Sequence, residues 1–68
     1  MQDNTDKLLN DKQVAKLISL SPQWVRSQRH KRKNGLNHTL TIKPVMIGKS
    51  PRYRQSDVYS WLADLPLG

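Results

Sequence analysis

At 68 residues the chain makes one domain, and a domain this short hides only about 60% of the surface its unfolded form exposes, which leaves no room for a deep catalytic cavity. The absence of cysteine excludes disulfide scaffolds, thiolate zinc sites and thiol nucleophiles together. Twelve Lys and Arg against five acidic residues, all aspartate, give a formal charge of +7, an excess that repels itself unless a polyanion is near.

Residues 1–7 are polar and without apolar periodicity, and are read as a flexible tail. Met1 is followed by no apolar run, so neither a signal peptide nor a membrane span is expected, and the default is a cytoplasmic, nucleoid-associated protein with no membrane contact. The domain is placed at 8–65. Asn10 can cap a helix, with Gln13 completing a capping box and Leu9 and Val14 spaced as a hydrophobic staple. The first helix then runs from about Asp11 to Ile18, and Val14, Leu17 and Ile18 mark its buried face.

Ser19-Leu20-Ser21 is a turn, and Ser21-Pro22 restarts the chain with a good cap followed by proline at the first helical position. Leu20 and Val25 repeat the staple spacing. Two short helices joined by a tight corner predict a helix-turn-helix. The second helix should stop between Arg29 and Gly35, where Asn34-Gly35 suits positive φ.

Residues 36–41 form a connector of undefined shape. Ile42, Val45 and Ile47 around Pro44, followed by the turn-rich Gly48-Lys49-Ser50-Pro51 and the run Arg52-Tyr53-Arg54, read as a two-stranded hairpin. Period-two alternation turns Tyr53 to the core and sets Arg52 and Arg54 on one face. Ser56 is the expected cap of a third helix, with Val58, Trp61, Leu62 and Leu65 in register and Pro66 as its stop. Residues 66–68 are a C-terminal tail. The expected fold is mainly α with a small β-hairpin, a winged helix-turn-helix in the order helix, helix, two-stranded wing, helix.

Functional expectations follow the charge. The second helix and its exit interleave Arg26, Arg29, His30, Lys31, Arg32 and Lys33 with Gln23, Ser27 and Gln28. Cations neutralise phosphates, while Gln and Arg can make paired bonds to adenine and guanine edges. Gln23, Arg26 and Ser27 are expected at base edges or nearby phosphates and Arg29 and Arg32 along the backbone, with Ser21 and Lys31 as further DNA contacts of the helix and its exit. Lys49, Ser50, Arg52 and Arg54 are the expected wing contacts, suited to the negative potential of a narrow minor groove. A charge run alone is equally a solvated face, and edge cations on a hairpin also block aggregation. Clustering at two places, with most acids on the first and third helices, favours double-stranded DNA as the partner.

Trp24 is expected as a rim residue over the core and Trp61 as a core residue. His30 and His38 match no metal-ligand spacing and are read as surface residues. With no nucleophile elbow, phosphate loop or paired carboxylates, the chain is not expected to be an enzyme or to need a cofactor, metal or small-molecule ligand. The alternative is a basic RNA-binding or nucleoprotein-assembly component, which would usually offer exposed aromatics for base stacking. An adaptor for an acidic protein is a third possibility.

The segments Leu8-Leu9-Asn10-Asp11-Lys12-Gln13-Val14-Ala15, Leu20-Ser21-Pro22-Gln23-Trp24-Val25-Arg26, Pro44-Val45-Met46-Ile47-Gly48 and Arg52-Tyr53-Arg54-Gln55-Ser56-Asp57-Val58-Tyr59-Ser60-Trp61-Leu62 together resemble the excisionase and AlpA-type prophage regulator family, whose winged domain is related to that of MerR-type regulators. The resemblance implies a second helix in the major groove, with Arg26 as a recognition contact and Lys49 and Arg52 as wing contacts. It implies a transcriptional regulator or an excisionase of a mobile element, with an integrase or further copies of the chain as partners on DNA. Three features depart from the family: Trp24 replaces a small hydroxyl residue, Gln28 stands where an aromatic core residue is frequent, and 36–42 lengthens the link to the wing.

Overall fold

The computed structural model describes residues 7–66. The tail expected at 1–7 and that at 66–68 therefore lie outside the described residues, apart from Lys7 and Pro66. Six elements follow in chain order: β1 (Leu8–Leu9), α1 (Asp11–Ile18), α2 (Pro22–Lys33), β2 (Val45–Ile47), β3 (Ser50–Arg54) and α3 (Gln55–Ala63). Three helices thus pack with a three-stranded antiparallel sheet of order β1-β3-β2. The sheet has one strand more than the expected hairpin, because Leu8 and Leu9 pair with Arg54 and Tyr53.

The helix starts follow local chemistry. The Asn10 side chain accepts from the Gln13 amide at 2.8 Å, and the Gln13 side chain accepts from the Asn10 amide at 2.9 Å, so two orphan donors are satisfied reciprocally. Leu9 and Val14 are both buried, as the staple spacing requires. α1 ends without glycine: Ser19 adopts φ +62°, its amide donates to Lys16 O, and the Leu20 amide donates to Ala15 O at 2.9 Å. This is a Schellman closure with serine in the left-handed position. It also corrects the second staple, because Leu20 spends its backbone closing α1 and its side chain stays half exposed at 48%.

Ser21 Oγ accepts from the Trp24 amide at 3.1 Å and starts α2. The helix ends through a second Schellman closure, Gly35 amide to Arg32 O and Leu36 amide to Lys31 O, with Gly35 at φ +69°.

Strand β2 begins only after Pro44, whose missing N–H cannot enter a ladder, so Ile42 is not a strand residue and is buried in the core instead. Gly48 at φ +62° and Lys49 form a two-residue turn between the paired Ile47 and Ser50. Pro51 sits inside β3 opposite Met46, and β1 reaches only Tyr53 and Arg54, which leaves an open edge beside the proline.

β3 runs straight into α3. Arg54, rather than Ser56, is the N-cap, and it makes no side-chain capping bond; the Gln55 amide instead donates to Lys7 O at 2.8 Å. Ser56 therefore lies within the first turn. α3 stops at Ala63 and Leu65 is 38% exposed, in contrast to the expected apolar register, because a residue before proline disfavours the helical region.

The core is Leu9, Val14, Ala15, Val25, Leu40, Ile42, Tyr53 and Val58, with Leu17, Ile18, Trp24, Trp61 and Leu62 packed around it. Trp24 is a half-buried rim residue, as expected, but Trp61 is also only half-buried. Its indole N–H reaches Thr39 O at 3.2 Å, a polar demand that a fully apolar site could not meet.

Candidate functional site

Helical geometry sorts the side chains of α2. Val25 and Gln28 are buried, and Gln23, Arg26, Ser27 and His30 are exposed. Arg26, Arg29, His30 and Lys33 recur at i, i+3, i+4 and i+7, which makes one stripe along the helix. That stripe and Arg32 form one wall of an open groove of about 790 Å³. The opposite wall is the connector and hairpin: His38, Pro44, Met46, Lys49 and Pro51. Five permanent cations and two imidazoles therefore line a single concavity, to which Pro44, Met46 and Pro51 add apolar surface.

The grouping of the expected contacts differs from the sequence reading. Arg26, Arg29, Arg32 and Lys49 come together at the groove. Ser21, Gln23 and Ser27 are exposed beside it, and Lys31 is half-buried. The hairpin divides its own residues by alternation: Met46 and Pro51, a directly opposed pair, face the groove, whereas Arg52 pairs with Val45 and Ser50 with Ile47 on the other face. Arg52 is half-buried and its Nη1 donates to Pro51 O at 2.8 Å, so part of its donor capacity is used within the hairpin. Arg54 is exposed on the same side as Arg52, as alternation requires, and also caps α3.

Arg29 is not a free cation. Its two terminal nitrogens grip Asp11 at 2.6 and 2.9 Å, the fork geometry of a strong ion pair, with side-chain exposures of 23% and 15%. The Asp11 hydrogen bond is the main cause that raises the guanidinium's pKa above its ordinary value; partial burial opposes it, and the Tyr53 hydroxyl adds to it. Arg29 thus ties α2 to α1 and to the sheet while still bordering the groove. It is the one ion pair among the described residues, so Arg26, Arg32, Lys33 and Lys49 present uncompensated charge. Asp11→Asn should lower stability by about 1 to 3 kcal/mol, since it removes one partner of a mostly buried pair, and urea unfolding of the two proteins checks this. An unchanged midpoint would mean that the pair adds nothing to the packing of α1 on α2.

Sequence reasoning left His30, Lys33, His38, Pro44, Met46 and Pro51 out of the site. The i, i+3, i+4, i+7 spacing of cations could have found the first two. The connector residues had no such signal, because Gln28 places them. Gln28 is 5% exposed, and its Oε1 accepts from the Thr39 amide at 2.6 Å and the Leu40 amide at 3.0 Å. Trp61 holds the Thr39 carbonyl from the other side, and Leu40 is sunk in the core at 2% exposure. Gln28 is thus what gives the connector between α2 and β2 its shape.

Among the described residues no group of three or more His, Cys, Asp and Glu is placed to hold a metal ion, and no helix is long and apolar enough to cross a membrane. Compared with protein-family models, curated proteins and solved structures, the chain matches none of them.

Proposed function

We propose that the chain is a sequence-specific binder of double-stranded DNA with the winged helix-turn-helix arrangement, α1 and α2 forming the helix pair and the β2–β3 hairpin the wing. In this reading α2 enters the major groove with Gln23, Arg26 and Ser27 toward base edges, and one DNA backbone runs along the groove between α2 and the hairpin. The observation that carries the reading is the gathering of Arg26, Arg32, Lys33 and Lys49, without partner carboxylates, around one open concavity. Arg52 and Arg54 then serve the outer face of the wing. The resemblance to excisionases and AlpA-type regulators supports a role in a mobile element, as a transcriptional regulator or as an excisionase, with an integrase or further copies of the chain beside it on DNA. The chain acts by binding rather than by catalysis.

Selection of bound duplexes from a random pool tests whether binding is specific. Arg26→Ala should weaken the selected duplex by about 1 to 3 kcal/mol relative to an unrelated one. Lys49→Ala should weaken all duplexes alike and make the dependence of log affinity on log salt shallower by about one unit. Equal affinities of wild type and Arg26→Ala for the selected site would sink the recognition assignment.

A further inference from the structure

We infer that His38, on the connector between α2 and β2, is a phosphate ligand of the groove that engages DNA by taking up a proton. The inference rests on the duplex-DNA reading above. The connector lacks regular secondary structure, yet it is fixed on the C-terminal side of His38 by three bonds: Thr39 and Leu40 amides to the buried Gln28 Oε1, and Trp61 Nε1 to Thr39 O. On the other side the Schellman closure fixes Leu36 to the end of α2. His38 is therefore held, half-buried, on the wall that faces the α2 stripe. An ordered backbone offers a ligand contact without a large ordering cost on binding.

The chemistry of the ring then decides what it can meet. His38 Nδ1 lies 2.9 Å from Leu36 O. A carbonyl oxygen only accepts, so Nδ1 carries the hydrogen, and in the neutral ring Nε2 is an acceptor. Phosphate oxygens also only accept. A neutral His38 consequently has nothing to give a phosphate, whereas the imidazolium donates from Nε2 while keeping its bond to Leu36. The charged groups around it on the groove are Arg26, Arg29, Arg32 and Lys33 with the titratable His30 from α2, and Lys49 from the hairpin. All the permanent ones are cationic, so an entering polyanion is drawn to the wall on which the ring stands. His30 is engaged differently, with the Asn34 side-chain amide 3.3 and 3.5 Å from its two ring nitrogens.

The test measures affinity for the selected duplex at constant salt between pH 8 and pH 6. Wild type should tighten about tenfold toward pH 6. His38→Ala should flatten that response with little loss at pH 8, and phosphate-ethylation interference should lose one phosphate from its pattern. His38→Lys, a permanent donor, should bind at pH 8 about as tightly as wild type does at pH 6. His30→Ala should leave the response in place. Circular dichroism melts of each variant separate contact from folding, and the lysine variant keeps the test informative where alanine destabilises the connector. A pH response that survives His38→Ala, or one carried by His30, overturns the inference while leaving the DNA reading intact. Wild type that binds no duplex at either pH overturns both.

Discussion

Tyr53→Ala should remove a large part of the domain's stability. Tyr53 is 1% exposed and among the largest fully buried side chains. It sits on β3, the strand shared by both neighbours, opposite Leu9 of β1. Truncating an aromatic residue in such a place costs about 3 to 5 kcal/mol, whereas a domain of this length holds on the order of 3 to 10 kcal/mol in total. Tyr53→Phe keeps the packing and loses only the hydroxyl's interaction with Arg29, for about 1 kcal/mol. Urea titrations followed by circular dichroism should therefore rank wild type, phenylalanine and alanine in that order, with a wide gap before the last. A cooperative, near-wild-type transition for Tyr53→Ala would mean that the sheet does not organise the core.

That residue also marks how far the sequence could be read. Its inward direction followed from alternation alone, and the starts of α1 and α2 followed from Asn10, Gln13 and Ser21, because capping and alternation involve neighbours only a few residues apart. Features that join distant segments had no such signature. Leu9 before Asn10 looks like one half of a staple with Val14 and nothing more; that Leu8 and Leu9 are also a strand depends on where Arg54 and Tyr53 lie in space. The site was legible to the same extent. The charge on α2 could be read directly, but the hairpin face that meets it is set by the Met46–Pro51 register, and the partner that ties down Arg29 is on another helix.

Gln28→Leu is the second substitution with a large expected effect, and it is deceptive, because a buried leucine in place of a buried glutamine looks like an improvement. The leucine gains apolar burial but leaves the Thr39 and Leu40 amides without their acceptor; the Leu40 amide is buried, and a buried donor left unpaired costs about 1 to 3 kcal/mol. We expect a net loss of about 1 to 3 kcal/mol in urea unfolding. Native-state hydrogen exchange gives the sharper readout: the Thr39 and Leu40 amides should lose protection far more than amides of α1. If those two amides remain as protected as in wild type, the glutamine is not what holds the connector.

The pairing of β1 with β3 bears on how the protein is made. α1 and α2 adjoin in sequence and can pack soon after both are synthesised, but Leu9 has no sheet partner until Tyr53 exists, and Lys7 O has no donor until Gln55 does. A nascent chain halted before β3 therefore carries Leu9, Val14 and Val25 with their apolar surface still open, a state prone to self-association. The first residues of the described fold are thus among the last to find their places. Closing the domain therefore requires β3, and the fold cannot be completed from its first elements alone.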